Sequence, residues 1–243
     1  MGNLFTVIFY QPILNLLIFL YNLVGDIGLA IVILTVLIKA ILFPLGKQSI
    51  KSQKSLQDLQ PKLDDLKKQY GDDKVGLSQA TMALYKENKI NPLSSCLPLL
   101  IQLPFLYAVF RVFRDGLGNK LDLVYSFINK PEVVNGLSLG IIDLSKPNVY
   151  LAILAGAAQF WQAKMMSTKK PVMKTEGARD ENMTAIMNKQ MVYFMPIITV
   201  FIGVSLPGGL TLYWFITTLL TALQQVLIFK GGKKGGTIEG ELV

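Results

Sequence analysis

From Gln190 to Phe229 the chain runs forty residues without a charged side chain. A helix needs about 20 apolar residues to cross the hydrocarbon core of a bilayer, so this run is too long for one crossing. Leu206-Pro207-Gly208-Gly209 interrupts it as a tight turn, which divides it into two spans. Composition agrees: 51% of the 243 residues are hydrophobic and 16% are charged, the balance of an all-α polytopic membrane protein. Such a chain leaves no room for a large soluble domain beside its spans. His is absent and Cys96 is the sole cysteine, which excludes a disulfide framework and a Cys/His zinc site. Cys96 lies in an apolar stretch and reads as a packed residue.

The remaining segments fall out of hydropathy and charge. Residues 1–25 read as an N-terminal interfacial amphipathic helix, because Pro12 interrupts the apolar run and Gln11, Asn15 and Asn22 share one helical face. A sixth span is the competing reading of that segment. No basic n-region or cleavage site marks it as a signal peptide. Five transmembrane helices are then expected: residues 26–46, 92–112 and 147–163, with the fourth and fifth in residues 190–229. Between them lie a cytoplasmic helical hairpin (47–91), an extracytoplasmic loop (113–146), a cytoplasmic loop (164–189) and a disordered cytoplasmic tail (230–243). Residues 47–89 carry nine Lys, residues 164–189 carry five Lys and Arg179, and the tail carries Lys230, Lys233 and Lys234. The opposite side has Arg111, Arg114, Lys120, Lys130 and Lys146 spread over a long loop. Dense positive charge marks the cytoplasm, so the N-terminus is expected outside and the C-terminus inside. The net charge of +8 thus reads as topology, with no nucleic-acid specificity.

In the first cytoplasmic segment Leu56, Leu59, Leu63, Leu66 and Tyr70 alternate at three and four residues, the seam of a coiled-coil-like helix. Gly71-Asp72-Asp73 breaks it. A second helix follows with Ser78 as its expected N-cap, giving an antiparallel pair.

Lys39 sits inside the first span. A lysine there costs about 2.5–3.5 kcal/mol on insertion scales and needs a partner, water or a purpose. Thr35 lies one turn before it. Gln102 stands in the second span, Gln159 and Gln162 in the third. On the last span Thr211, Trp214, Thr218, Thr221 and Gln225 alternate at three and four residues, with Thr217 and Gln224 beside them. Any one such residue is commonly a helix-joining hydrogen bonder. A cation with polar side chains spread over four helices predicts a shared wet groove. No Asp or Glu lies within a secure span, so proton-coupled transport has no titrating carboxylate. No nucleophile–base pair, phosphate loop or metal cluster offers catalysis. The chain is therefore expected to be no enzyme and to take no cofactor.

Three stretches, TVLIKAILFPL with the Lys-rich hairpin after it, NPLSSCLPLLIQLPFLYAVFRVF and LPGGLTLYWFITTLLTALQQ, occur in an order and spacing that resembles the YidC family of membrane protein insertases. The resemblance covers nearly the whole chain. It implies five core spans around a groove open to cytoplasm and lipid, with a substrate-contacting basic residue that falls on Lys39. The family usually has Arg there; Lys keeps the charge but loses the planar fork that pairs carboxylates bidentately. The implied groove positions also fall on Thr35 and on Trp214, beside Tyr213, with Gln159 or Gln162 supplying the third span. The large extracytoplasmic domain of the Gram-negative form and the lipoprotein cysteine of many short forms are missing, so a short form without a lipid anchor is expected. The short tail argues against strong ribosome docking.

The function this implies is insertion of nascent membrane proteins into a bacterial plasma membrane. Partners would be nascent chains and the lipid bilayer, with the ribosome, the signal recognition particle pathway and the Sec translocon as further candidates. Short third and fourth runs would thin the bilayer locally. Seven of nine Met fall in Met165–Met195, suited to varied apolar substrates. The competing readings are a small-solute transporter or channel, which should show internal repeats, and an assembly scaffold that needs no groove.

Overall fold

Pro44 decides the shape of the first span. Its ring has no N–H to donate and crowds the carbonyl four residues back, so a helix cannot continue through it unchanged. In the computed structural model, which describes residues 2–71, 73–91, 97–114, 121–167 and 190–232, the chain obeys that constraint. Helix α3 (Ile27–Ile41) stops at Leu42, and a second helix, α4 (Phe43–Tyr70), restarts at an angle of 68°. The span expected over residues 26–46 therefore bends at residue 42, and its last residues belong to the helix that continues into the polar Lys-rich segment.

Before it come α1 (Gly2–Phe5), a π-helical turn (Thr6–Tyr10) and α2 (Gln11–Val24). Pro12 does not break this run. The wider turn upstream accommodates it at the start of α2. Gly25 closes α2 at φ 72°, a conformation open to glycine, and Asp26 caps α3 by accepting from the Leu29 N–H at 2.9 Å.

Helix α4 carries Pro61 without breaking and packs against α5 (Lys74–Glu87) as the expected hairpin. Leu59 and Leu63 are its buried seam positions; Leu56, Leu66 and Tyr70 are half-buried. Helix α5 starts a turn earlier than expected. Its cap is Asp73, accepting from the Gly76 N–H at 3.0 Å, rather than Ser78. A carboxylate directly after the Gly71 turn reaches the free N–H groups first.

The remaining helices are α6 (Leu97–Arg114), α7 (Val149–Met166), α8 (Met195–Gly203, entered through a π turn at Gln190–Phe194) and α9 (Gly208–Gly232). Between α6 and α7 a two-stranded hairpin pairs β1 (Leu137–Ser138) with β2 (Ile142–Asp143). Helix α9 is the hub, packing against α7, α3, α4 and α6. Small residues let α7 and α8 close: a Cβ on Gly156 would meet Val200 and the Pro196 carbonyl, and Gly203 lies against Ala152. The apolar core joins α2, α3 and α6, sealed at one end by Leu210 and Tyr213 of α9. The chain is thus an all-α membrane protein. By length and composition Thr6–Val24 and Gly208–Phe229 could each cross a bilayer alone, and α3 with α4 could cross as a bent pair.

At 18 residues α7 is about 27 Å long, slightly under the roughly 30 Å of a bilayer's hydrocarbon core, and α8 has only 9 residues beyond its π turn. The expectations for Cys96, for Lys120, for the Lys- and Met-rich stretch 168–189 and for the tail from residue 233 fall outside the described residues.

Candidate functional site

Helix α9 brings three other helices into polar contact along one side. Stepping four residues at a time, Tyr213, Thr217, Thr221 and Gln225 line up, with Thr218 and Gln224 alongside. Lys39 reaches this line from α3: its ammonium donates to the Thr221 hydroxyl at 2.8 Å. Thr221 in turn donates to the Thr217 carbonyl at 2.7 Å, so its lone pairs remain for the lysine. From α6, Gln102 donates to the Tyr213 hydroxyl at 2.6 Å. Where α3 bends into α4, Gln224 donates to the exposed Phe43 carbonyl at 3.1 Å, and Gly46 allows that approach.

No carboxylate occurs in α3, α6, α7, α8 or α9. The Lys39 charge is therefore met by a neutral hydroxyl, and a cation in that setting favours any acidic group that can reach it. Among the described residues the Gln225 Oε1 is buried with no hydrogen-bond partner, and the buried Thr217 hydroxyl lies within hydrogen-bonding reach of the Tyr213 side chain. Buried polar atoms are nearly always satisfied, so water is the natural complement of the Gln225 Oε1. Together these groups form a polar track between α3 and α9. Among the described residues no group of His, Cys, Asp or Glu could hold a metal ion.

Not every candidate joins that track. Thr35 is fully buried and donates to the Ile31 carbonyl of its own helix at 2.6 Å. Gln159 accepts from the Thr199 hydroxyl at 2.5 Å, which links α7 to α8. Gln162 and Trp214 are half-buried on α7 and α9. Thr211 bonds to the Gly203 and Pro207 carbonyls at 3.2 and 3.3 Å and holds the α8–α9 turn. Thr217 and Gln224, named beside the polar stripe of α9, do lie on it. Thr199 was not named; it stands alone in an apolar helix, with no periodic signal to mark it.

The mouth of the track nearest the hairpin is tied to the hairpin itself. Gln57 donates to the Ser167 carbonyl at 3.2 Å and the Lys54 ammonium lies 5.4 Å from the centre of the Phe229 ring. At the other end, residues 121–146 cover α2: Gln11 and Asn15 both donate to the Leu123 carbonyl, Asn15 accepts from the Tyr125 N–H, and Asn22 donates to the Asn129 carbonyl. Gly208 and Gly209 donate to the Lys146 and Leu144 carbonyls at 2.9 Å each, which closes the same loop onto the α8–α9 turn.

Comparison with known proteins gives one consistent answer. The family model described as 60Kd inner membrane protein matches residues 19–235. A Fusobacterium nucleatum protein described as membrane protein insertase YidC is 38% identical over 209 residues, covering 86% of this chain and 89% of that protein. The protein of that description from Tolumonas auensis is 36% identical over 228 residues, covering 93% of this chain but 37% of its own length. A crystal structure of an active YidC insertase with its first transmembrane domain resolved superposes with a TM-score of 0.58 at 26% identity, over 91% of this chain and 46% of that one. This chain therefore spans less than half the length of the latter two and most of the first. A match to the family model over most of the chain, with a relative of nearly equal extent, establishes that the chain belongs to the 60Kd inner membrane protein family, together with the YidC proteins.

Proposed function

We propose that the chain is a membrane protein insertase of a bacterial plasma membrane, working through the polar track between α3 and α9. The observation that carries this is the Lys39–Thr221 contact, a cation within an apolar span that faces a hydroxyl-lined helix, with no carboxylate in α3, α6, α7, α8 or α9. A hydrophilic segment crossing lipid loses hydration worth several kcal/mol per polar group. Thr and Gln side chains, water and one ammonium replace part of it, while the adjoining apolar segment moves sideways into lipid. The α4–α5 hairpin, tied to the mouth of the track, is the receiving surface. Nascent membrane proteins and the bilayer are the partners; the ribosome, the signal recognition particle pathway and the Sec translocon are candidates for delivery.

In this reading α3, α6, α7, α8 and α9 are the five spans, and α2 lies in the outer interface. Its three amides support that placement, since all three bond to the connecting segment between α6 and α7 rather than to another of the long apolar helices. The N-terminus is outside. On a Cys96→Ser background, Asp65→Cys should be shielded from a membrane-impermeant thiol reagent in intact cells and Glu132→Cys labelled; the reverse pattern overturns the orientation.

The function is tested with purified protein in liposomes and a single-span substrate bearing a short acidic translocated tail. A photoreactive residue at position 39 or 214 should crosslink the substrate tail during insertion. Lys39→Arg should insert it, and Lys39→Glu should not. Equal insertion by Lys39→Glu would leave the lysine as a side chain that merely extends its charge to the interface, and a groove-independent scaffold would then be the better account.

A further inference from the structure

The turn that joins β1 to β2 is built from the wrong residues for an aqueous loop. Leu139 and Gly140 both have positive φ, 51° and 71°, and the Ile141 N–H donates to the Ser138 carbonyl at 3.0 Å. Two consecutive left-handed residues make the tight hairpin turn in which Asn-Gly or Asp-Gly is usual, and a leucine is sterically disfavoured there. Leu139 is nevertheless 68% exposed and Ile141 81%, with Leu137 42% exposed just before them. A strained backbone here presents large apolar side chains outward.

The position of this tip is fixed. One oxygen of the Asp26 carboxylate accepts from the Leu139 N–H at 2.6 Å, and the other accepts from the Ser138 hydroxyl at 2.8 Å. Ser138 is buried against Gly28, where a Cβ would collide with it. Asp26 is also the N-cap of α3, so the tip is held at the depth where that helix begins. On either side of Asp26 the helices carry outward apolar residues of their own, Leu23 at 70% and Leu29 at 43% exposure. The hairpin tip, bonded to Asp26, adds its apolar side chains at the same end of α3. At the far end of the hairpin the pairing of Asp143 with an exposed Lys146 marks the part that stays in water.

We propose that Leu139 and Ile141 insert into the lipid leaflet at which α3 begins, making the β1–β2 hairpin a shallow membrane anchor. This rests on α3 being a membrane span but not on its orientation. The backbone suits insertion, because the turn satisfies its own Ile141 N–H and Asp26 takes the Leu139 N–H, leaving few polar groups to strip of water. Apolar side chains at such a boundary typically sit about 5–10 Å into the headgroup–acyl region.

The test uses full-length protein with Cys96→Ser, reconstituted in phosphatidylcholine–phosphatidylglycerol vesicles and labelled with an environment-sensitive fluorophore at one introduced cysteine. Ile141→Cys is compared with Val36→Cys in mid-α3 and with Glu132→Cys on the same loop. Quenchers are iodide on both sides of the vesicle and nitroxides on the lipid acyl chains. The Ile141 probe should follow Val36, with nitroxide quenching several-fold above that at Glu132 and little effect of iodide. Iodide quenching at Ile141, with Val36 still quenched by lipid, overturns the anchor while leaving the span in place. Shielding from both quenchers means a second copy covers the tip and also overturns it. A Val36 probe blind to the nitroxides removes the span, and the anchor falls with it.

Discussion

The Lys39 ammonium and the Thr221 hydroxyl meet at 2.8 Å across the contact between α3 and α9. A hydrogen bond to a charged group contributes about 1.5–3 kcal/mol, more than a neutral pair. Thr221→Val should therefore lower thermal stability in detergent by about that amount, since it strands a cation among apolar helices. Thr221→Ser should restore both stability and insertion. If Thr221→Val proved neutral, Lys39 would have another partner and the track would not depend on this contact.

Glycine sets how closely the elements over the track approach. A Cβ on Gly209 would enter the Phe113 ring, and one on Gly28 would strike Ser138. Overpacking a tight contact costs about 1–3 kcal/mol. Gly209→Ala should thus lower the melting temperature, and Phe113→Leu should recover part of the loss. Gly25 offers a contrast: no atom lies within 4 Å of its would-be Cβ, so Gly25→Ala should suffer only from its φ of 72°. Equal costs at the two sites would mean that backbone strain, not packing, controls this end of the fold.

The acid response of the loop has a defined sign. Hydrogen bonds from Lys146 and from the Ser145 hydroxyl and N–H hold the half-buried Asp143 carboxyl down at about 2. A depressed carboxylate favours the folded loop above its unfolded pKa of about 4, and that contribution disappears as pH falls through the folded value. Hydrogen exchange over residues 137–146, corrected for intrinsic rates, should stay constant from pH 7 to about 4 and rise between about 4 and 2. Asp143→Asn should flatten that profile at residues 143–146, while Leu139, held by the Asp26 carboxylate, should still respond. A rise already at pH 6 would assign the response to another group.

Much of this architecture was legible because membranes enforce simple rules. Charge-free runs gave the helices around Lys39, the three- and four-residue seam gave Leu59 and Leu63 of the α4–α5 hairpin, and Leu206-Pro207-Gly208-Gly209 gave the α8–α9 turn. The bend at Leu42 was hidden, because Pro44 reads equally well as the end of a span or as a kink within a continuing pair of helices. The α5 cap was misplaced by a turn because Asp73 and Ser78 are both acceptable caps, and only the path of the chain after Gly71 chooses between them. In the site, polar stripes identify a helix face but not its neighbour. Thr221 and Thr211 sit on similar stripes, yet one meets Lys39 and the other pins the α8–α9 turn. Gln159 similarly bonds to Thr199, a residue with no periodic partner in the sequence.

The polar track and a merely bonded helix bundle differ most at Gln225, whose Oε1 is buried with no partner among the described residues. In a dry bundle such an atom is a liability of about 1–3 kcal/mol, so Gln225→Leu should stabilise the protein. In a hydrated track it is solvated already, and the change should leave the melting temperature nearly unmoved. Insertion of a substrate with a polar translocated tail should slow several-fold, because the tail loses its substitute for water. A substrate whose tail is only a few residues long should be affected less, having fewer groups to solvate. Melting temperature in detergent and insertion rate in liposomes, measured on the same preparation, separate the two cases. A rise in stability with unchanged insertion of both substrates would remove α9 from the proposed path.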